Sequence, residues 1–347
     1  MKPGRRRLLI PGLLVALLIV VALSAAIRRA DAETTPLPVV PHTQVSVMSD
    51  PRITESSGLA ASRNHPGLVY TINDSGDKAR VFAVDIDTGR VVGVTSISSA
   101  KWRDAEAMAL WGGKLAVADV GNNLLSRRDA AIYVFDEPGP GNHRVDAARY
   151  PVTFGKYNVE VEAMAFAQGR IALITKEWPN GHVFVFTEPL RQNQRNVPQL
   201  TGWRTLAYAT DATATADGRY VLVRGPVSVE VREARSWKLV RADVIPAFVQ
   251  GETIAMESSE RSYLIGSEGS DSPLVRVGFD RAGLGKTPPA KIDDLAQLRE
   301  QQPVRTWLWE HRSALVIACM FGGAGLAGAA LALWTKRRRH RRRGVEA

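Results

Sequence analysis

Cysteine is almost missing from this sequence, because Cys319 is the one example among 347 residues. It lies within a long apolar run at 313–334, so the chain before that run has no thiol. Thiol catalysis, cysteine-ligated zinc and disulfide bonds are therefore excluded for residues 1–312. A chain of this kind must be held together by a buried apolar core, and residues 33–312 are numerous enough to form one.

Histidine is also scarce, and familiar hydrolase motifs are missing. The six histidines stand singly, which favours surface or capping roles over metal ligation; they are His42, His65, His143, His182, His311 and His340. Neither the G-x-S-x-G motif nor the H-E-x-x-H motif occurs. The run "GLGKT" at 283–287 lacks the first glycine of a phosphate-binding loop, because Asp280 stands in that position.

A basic central surface is missing as well, although the net charge is +10. Residues 1–32 hold six basic side chains and residues 335–347 hold seven, against one acid in each segment. The chain between these two ends is close to neutral. It therefore lacks the basic patch of a nucleic-acid-binding protein, and we expect no nucleic-acid partner.

An apolar run near the start indicates export. "LLIPGLLVALLIVVALSAAI" at 8–27 follows the basic segment "MKPGRRR" and precedes Ala30-Asp31-Ala32. A basic start, an apolar centre and small residues at the end predict a signal peptide over 1–32. The alternative is an uncleaved signal anchor, because the run is long and an Arg28-Arg29 pair follows it.

The second apolar run, at 313–334, contains no charged residue. It is long enough to cross a bilayer as a helix. The block "TKRRRHRRR" follows it, and basic segments of this kind remain on the cytoplasmic side. We therefore expect a transmembrane helix at 313–334 and a basic cytoplasmic tail at 335–347. Residues 33–312 would then lie outside the cytoplasm, attached to the cell membrane.

A short phrase recurs five times, at intervals of 41 to 56 residues. Its copies are "SGLA" (57–60), "EAMA" (106–109), "EAMA" (162–165), "DATA" (211–214) and "ETIA" (252–255). Two further runs rich in Val, Ile, Tyr and Phe follow each copy, and another run precedes every copy except the first. Turn-forming residues separate the runs. These are strand signals, so each repeat predicts a four-stranded unit.

Four-stranded units of this size that repeat around an axis are typical of β-propeller blades. The sequence predicts an all-β domain of five blades at 41–280; a six-bladed propeller, a β-sandwich and a β-solenoid are the alternatives. The last repeat offers three strands, whereas "TQVSVMS" at 43–49 precedes the first. We expect this N-terminal strand to complete the last blade and protect its edge. Residues 33–40 form a linker, and 281–312 form a second linker with a short helix.

The first two blades carry a family resemblance. "ITESSGLAASRNHPGLVYTINDSGD", "WRDAEAMA" and "LAVADVGNN" resemble segments of secreted or membrane-anchored bacterial β-propellers that are common in actinobacteria. More distantly, the chain is similar to SdiA-regulated propellers and esterase-like phytases, which pair an "SGL" strand with an acidic "EGI" or "EAI" phrase. The resemblance covers 50–280 and implies an extracytoplasmic propeller, with a metal ion in some relatives. It implies no particular reaction, because one propeller scaffold serves many functions.

Acidic residues open four of the five phrases: Glu106, Glu162, Asp211 and Glu252, with Ser57 in the first. In a propeller, equivalent positions of the innermost strands form a ring at one mouth of the channel. Crowded carboxylates need a counter-charge, protonation or intervening water. A hard cation such as calcium, held by the four acids, would relieve the repulsion. The alternative is structural, with each acid accepting hydrogen bonds from backbone N–H groups of the neighbouring blade.

A second polar set follows the second strands, in "NDSGDKAR" (73–80), "ADVGNNLLSRR" (118–128) and "GSEGSDS" (266–272). Loops that share one end of a scaffold often carry binding residues. The candidates for a binding rim are Asp74, Asp77, Asp119, Asn122 and Asp271. The alternative is a set of ordinary solvated turns, for which glycine and aspartate are well suited.

These observations leave three functional hypotheses. The leading one is a membrane-anchored, non-enzymatic binding or interaction module. The second is a metal-assisted, phosphoesterase-like hydrolase, whose cation would polarise the substrate and activate water. It would need basic residues beside the acids, and the nearest candidates are Arg80, Arg127, Arg128 and Lys176. The third is an accessory subunit of a membrane complex, whose helix at 313–334 packs against another membrane protein through its small residues.

Overall fold

The computed structural model describes residues 40–248 and 250–284. The predicted signal segment (1–32), the predicted transmembrane helix (313–334) and the predicted basic tail (335–347) lie outside these residues. Most of both predicted linkers lies outside them too. Within the described part of the chain, no helix is long and apolar enough to cross a membrane.

The described residues form 21 β-strands in five sheets. Blade 1 contains β2 (Ser56–Ala61), β3 (Leu68–Asn73), β4 (Arg80–Asp85) and β5 (Val91–Ile97). Blade 2 contains β6 (Ala105–Trp111), β7 (Lys114–Asp119), β8 (Ala131–Asp136) and β10 (Ala148–Pro151). Blade 3 contains β11 (Val161–Ala167), β12 (Arg170–Thr175), β13 (His182–Val185) and β14 (Gln199–Arg204). Blade 4 contains β15 (Asp211–Ala214), β16 (Tyr220–Arg224), β17 (Ser228–Glu233) and β18 (Leu239–Val244). Blade 5 contains β19 (Thr253–Met256), β20 (Ser262–Gly266), β21 (Ser272–Gly278) and β1 (His42–Met48).

The first strands of successive blades contact one another in a closed order. β2 contacts β6, β6 contacts β11, β11 contacts β15, β15 contacts β19, and β19 returns to β2. A closed ring of four-stranded antiparallel sheets is a β-propeller. The predictions of an all-β propeller and of five blades are therefore confirmed.

The N-terminal strand completes the last blade, as the missing fourth strand of the last repeat predicts. β1 pairs antiparallel with β21, from His42 opposite Val277 to Met48 opposite Ser272. The outer edge of blade 5 is thus covered by a segment more than two hundred residues earlier in the chain. This pairing joins the two ends of the domain and covers the edge of β21, which would otherwise be the unpaired outer strand of blade 5.

The alanine that ends each repeated phrase lies in the first strand of its blade. Ala60, Ala165, Ala214 and Ala255 are buried, and Ala109 is half-buried; small side chains at these positions allow the first strands to approach one another closely. The larger apolar residues fill five separate clusters, each between two neighbouring blades. Their burial supplies the main stabilising free energy of a fold without disulfides.

Blade 1 has a fifth strand that the repeat pattern does not predict. β9 (His143–Val145) belongs to the chain between β8 and β10 of blade 2, yet it pairs parallel with β5 of blade 1. Residues 137–147 therefore leave blade 2, cross to the outer edge of blade 1 and return. We call this segment the strap. The repeated four-residue phrase does not predict the strap, because the strap is an insertion in one blade.

Candidate functional site

The two polar sets singled out in the sequence lie at the same end of the channel. Antiparallel pairing places the start of each first strand beside the end of each second strand: Ala105 opposite Asp119, and Val161 opposite Thr175. The acidic repeat positions and the loops after the second strands are therefore neighbours. We call this end of the propeller the acidic face.

Glu106 and Glu162 occupy β-bulges at the starts of β6 and β11. The register shifts between Ala105 and Ala107, and again between Val161 and Ala163, so each glutamate is an extra residue in its strand. A bulge bends the strand and redirects a side chain away from the regular alternation. Both glutamates are buried nonetheless, and each faces acidic neighbours.

Five carboxylates converge here: Asp74, Asp104, Glu106, Glu160 and Glu162. One oxygen from each of Asp74, Asp104 and Glu106 lies within 4.8 Å of the others, and the same holds for Glu106, Glu160 and Glu162. Glu106 thus belongs to both triads. We call these five residues the carboxylate cluster; it draws on blades 1, 2 and 3.

Burial and repulsion between carboxylates raise the pKa values of Asp74, Glu106, Glu160 and Glu162. For Glu106, loss of hydration is the largest cause, followed by the charges of Glu162, Asp74 and Asp104, and the pKa lies well above its ordinary value. Loss of hydration is also the largest cause for the other three, raising the pKa of Asp74 to about 8 and those of Glu160 and Glu162 to about 7. At neutral pH, a nearby positive charge would therefore stabilise the ionised form of these carboxyl groups.

Lys176 supplies positive charge at one side of the cluster. Its Nζ lies 3.3 Å from Oε2 of Glu162 and 3.9 Å from Oε1 of Glu252. Lys176 follows β12, as Asp74 follows β3. Its charge lowers the pKa values of Glu162 and Glu160, so the repulsion is relieved on the blade 3 side more than on the Asp74 side.

Asp211, at the same repeat position in blade 4, has a different environment. Its Oδ2 accepts hydrogen bonds from the backbone N–H of Ile254 (2.8 Å) and of Leu59 (3.3 Å), and its Oδ1 accepts one from Ala212 N–H (2.8 Å). These donors belong to blades 5, 1 and 4. Asp211 thus connects three blades in the manner of the structural alternative, and its carboxylate oxygens are committed to backbone amides.

Ser57, the first member of the predicted ring, contacts the cluster as a hydrogen-bond donor. Its hydroxyl lies 3.0 Å from the backbone carbonyl of Glu106 and 3.2 Å from Oε2 of the same residue. Ser57, Glu106, Glu162 and Glu252 are therefore grouped at the acidic face, whereas Asp211 is committed to the inter-blade amides.

The predicted rim residues divide into separate roles. Asp74 belongs to the cluster. Asp77 pairs with Arg80 and accepts a hydrogen bond from Asn73, which stabilises its own turn. Asp119 is buried and accepts the backbone N–H groups of residues 103 and 104. Asp271 is exposed, at a positive φ of 56°.

Asn122 lies beside the cluster and holds one of its members, Glu160, in place. Its backbone N–H donates to both oxygens of Glu160 at 2.9 Å, and its side-chain amide donates to Val159. The side-chain oxygen of Asn122 accepts the backbone N–H of Arg127. The loop at 121–128 is thereby fixed against the segment that carries Glu160.

Asp104 and Glu160 are cluster members that the sequence reasoning missed. Each stands two residues before the repeat acid, in "DAE" and "EVE". That spacing was the available signal, because residues two apart in a strand share a face. The bulges at Glu106 and Glu162 change this alternation, so the convergence of all five carboxylates depends on backbone detail that the sequence pattern does not contain.

The cluster has features that fit a hard cation. Oδ1 of Asp74 is buried and has no hydrogen-bond partner among the described residues. Gly121 lies directly against the cluster: a Cβ there would come within 2.5 Å of Oε1 of Glu106 and 2.7 Å of Oδ2 of Asp104. Oxygen-rich groups of this kind suit calcium, which takes six to eight oxygen ligands.

The basic residues named for a hydrolase have separate environments. Arg80 is ion-paired with Asp77, and its guanidinium lies 4.9 Å from the Phe82 ring centre. Arg127 is largely buried and paired with Asp119 and Asp129. Arg127 also donates to the backbone carbonyl of Asp104 at 3.3 Å. Among the four candidates, Lys176 is the one that forms a described ion pair with a cluster carboxylate.

Exposed apolar side chains surround the cluster on the same face. Leu124 is 88% exposed and lies with Leu125 in the loop after β7; Tyr157 lies in the loop before β11. Trp178 is 48% exposed in the loop after β12 and stacks on Tyr208 with ring centres 6.0 Å apart. Apolar groups around a charged centre are typical of an interaction surface.

Comparison with known proteins does not assign this chain to a family. No protein-family model matches the chain, and no curated protein matches it. The resemblance to bacterial propellers described above remains an expectation from the quoted motifs.

Proposed function

We propose that this protein is a membrane-anchored, extracytoplasmic binding module that uses the acidic face of its propeller. The observation that carries this proposal is the carboxylate cluster. Its members come from three blades, and they face one another instead of accepting hydrogen bonds from the backbone N–H groups of three blades as Asp211 does. Functional sites commonly hold groups whose pKa values are shifted strongly by burial and by like charges.

A hard cation, with calcium as the leading candidate, fits the cluster. Asp74, Asp104 and Glu106 would hold it, with Glu160 and Glu162 completing the oxygen-rich surroundings. The unpartnered oxygen of Asp74 and the close approach of Gly121 support this assignment. A divalent charge would lower the pKa values of these carboxyls and remove their repulsion.

A partner macromolecule would contact the exposed apolar residues around the cluster. Leu124, Leu125, Tyr157 and Trp178 offer apolar and aromatic contact area, and aromatic residues often dominate binding energy at interfaces. Together with the acids, they favour a partner that presents apolar groups beside positive charge. An accessory role in a membrane complex is compatible with this surface.

The binding role is favoured over the hydrolase because basic groups do not converge on the cluster. A hydrolase for anionic substrates needs cations to hold the substrate, yet Arg80 and Arg127 are paired with aspartates of their own. Lys176 is engaged with Glu162 and Glu252. With these cations already paired, the carboxylate cluster holds more negative than positive charge.

Isothermal titration of the purified, chelator-treated full chain with calcium chloride tests the cation site. We expect saturable binding, weakened tenfold or more by Glu106→Gln, because this residue belongs to both triads. Asp136→Asn is the matched control, since Asp136 is 87% exposed and paired with Lys114 far from the cluster. Absence of calcium binding by the native chain would contradict the cation assignment.

The hydrolase alternative is tested with the same proteins. Aryl phosphate and aryl ester substrates, assayed with and without calcium, should show no turnover above that of Glu106→Gln. Calcium-dependent turnover that this substitution abolishes would replace the binding proposal with a catalytic one.

Membrane topology is tested separately. Protease added outside intact cells should digest residues 41–312 and spare a tag placed after residue 347, because the basic block favours a cytoplasmic C-terminus. A protected propeller in intact cells, digested only after lysis, would contradict the extracytoplasmic location.

A further inference from the structure

A groove at the outer edge of blade 1 forms a second candidate site, which shares no lining residue with the carboxylate cluster. It has a volume of about 610 Å³, within the range of small-ligand pockets. Four parts of the chain line it: the turn at 77–80, β5, the connection at 100–102 and Arg144 of the strap. We call it the strap groove.

The strap groove carries uncompensated positive charge. Lys78, Arg80, Lys101 and Arg144 line it, and Asp77 is the one acid among its lining residues. Asp77 is ion-paired with Arg80 at 2.8 Å. Within the described part of the chain, Lys78, Lys101 and Arg144 have no carboxylate at ion-pair distance, so the groove presents three exposed cations to solvent.

The strap holds Arg144 in position. β9 pairs with β5, and Nε of Arg144 donates to Oγ of Ser98 at 3.2 Å. The contact between strap and blade is close, because a Cβ on Gly93 would lie 2.3 Å from the carbonyl oxygen of Gly141. The insertion therefore brings a cation from blade 2 to a groove on blade 1.

The remaining lining residues add an aromatic wall and a hydroxyl group. Trp102 lines the groove and contacts Tyr133, with ring centres 6.3 Å apart. Ser96 supplies a hydroxyl beside it, whereas the Ser98 hydroxyl donates to the backbone carbonyl of Val145 and accepts from Arg144. Cations recognise phosphate or carboxylate groups, hydroxyls recognise other hydroxyls, and an indole packs against the apolar face of a ring.

We propose that the strap groove binds an anionic sugar, meaning a pyranose that carries a phosphate or a carboxylate group. Lys78, Lys101 and Arg144 would bind the anionic group, Ser96 would bind a ring hydroxyl, and Trp102 would pack against the ring. A neutral sugar would leave the cations without a partner, and a simple anion would leave the indole and the Ser96 hydroxyl unused.

Isothermal titration of the purified full chain tests this proposal with four probes: glucose 6-phosphate, glucuronate, glucose and inorganic phosphate. We expect binding of at least one anionic sugar, at least tenfold tighter than binding of glucose or phosphate. The two anionic sugars distinguish a phosphate from a carboxylate ligand. Binding should weaken as sodium chloride is raised, because exposed charges are screened.

Variants locate the binding. The double substitution Lys101→Ala, Arg144→Ala should weaken anionic-sugar binding at least tenfold, and Lys101→Arg should retain it. Arg235→Ala is the matched control, because Arg235 is an exposed cation in blade 4. Circular dichroism should show unchanged melting of the double variant, since both side chains are exposed.

Three outcomes would overturn the proposal. Inorganic phosphate could bind as tightly as the sugar phosphate, which would mean a simple anion site. Arg235→Ala could weaken binding as much as the double variant, which would mean non-specific attraction. The third outcome is that none of the four probes binds the native chain, which would mean that the groove is not a site for an anionic sugar.

Discussion

The two halves of the acidic face surround their buried carboxylates with different groups. In blades 4 and 5, burial raises the pKa of Asp211 well above its ordinary value, while three backbone N–H groups and the charge of the fully buried Arg224 act to lower it. Arg224 itself donates to the backbone carbonyls of Thr253 and Gly266. In blades 1 to 3, Glu106 and its neighbours face one another, and positive charge approaches from Lys176 at one side.

The difference shows that position in a repeat does not determine the role of a side chain. A short aspartate at the regular start of β15 reaches the amides of adjacent blades. Glu106 and Glu162 have longer side chains and occupy bulges, so they face the channel mouth and one another. The first arrangement stabilises the ring, whereas the second costs free energy that a bound cation would restore.

Removing Asp211 should have the largest effect on stability. Asp211→Ala leaves three buried N–H groups, on Leu59, Ala212 and Ile254, without their acceptor. Each unsatisfied donor costs about 1–3 kcal/mol, so the free energy of unfolding should fall by several kcal/mol. Urea denaturation followed by circular dichroism measures the change.

Asp136→Ala serves as the control for this comparison, because its carboxylate is exposed and should contribute less than about 0.5 kcal/mol. If Asp211→Ala were as mild as the control, Asp211 would have no structural role, and the contrast between the two halves would be lost.

A pH titration should give the next largest effect. The folded-state pKa is raised to about 8 for Asp74 and to about 7 for Glu160 and Glu162. Between their ordinary values and these raised values, the folded state holds more protons than the unfolded state. Without calcium, the free energy of unfolding should therefore decrease as pH rises from about 5 to about 8.

Glu106→Gln should reduce this decrease and raise stability at pH 8 by on the order of 1 kcal/mol, because it removes one of the repelling charges. Calcium should do the same for the native chain, by about 2.7 kcal/mol at a hundredfold excess over its dissociation constant. Melting curves at pH 5 and pH 8 test both statements. Stability that rises steadily over this range would contradict the electrostatic account of the cluster.

The smallest effect on stability is expected for Gly121→Ala. The new Cβ would meet the ends of the Glu106 and Asp104 side chains, and a shift of flexible side chains costs about 0.5–1.5 kcal/mol. Calcium affinity should nevertheless fall, because the methyl group displaces the oxygens from their shared position. Titration calorimetry checks this. Unchanged calcium affinity would place the cation away from Gly121.

The repeat pattern of the sequence was sufficient to predict the propeller, its five blades and the closing strand. Alanine at fixed places and the missing fourth strand of the last repeat are local features of the sequence, and they translate directly into strand order. In the structure, Glu106 and Glu162 lie at the starts of β6 and β11 and share one group of carboxylates.

The finer arrangement depended on contacts that a repeat alignment cannot contain. The sequence predicts an even ring of four acids, whereas the structure gives them two different environments. One cause is that Asp211 in blade 4 accepts the backbone N–H of Leu59 in blade 1. Asp104 and Glu160 joined the cluster through bulges that change strand alternation. The strap was not foreseen, since β9 is a three-residue parallel pairing between distant segments, with weak periodicity of its own.

Arg281, near the end of the described chain, pairs with Asp217 and Glu260. These two acids lie in the β15–β16 and β19–β20 turns, at the end of the propeller opposite the acidic face. The described chain therefore leaves the propeller at the end opposite the carboxylate cluster. Whatever follows residue 284 begins at that far end, so the mouth that holds the cluster is not where the described chain departs.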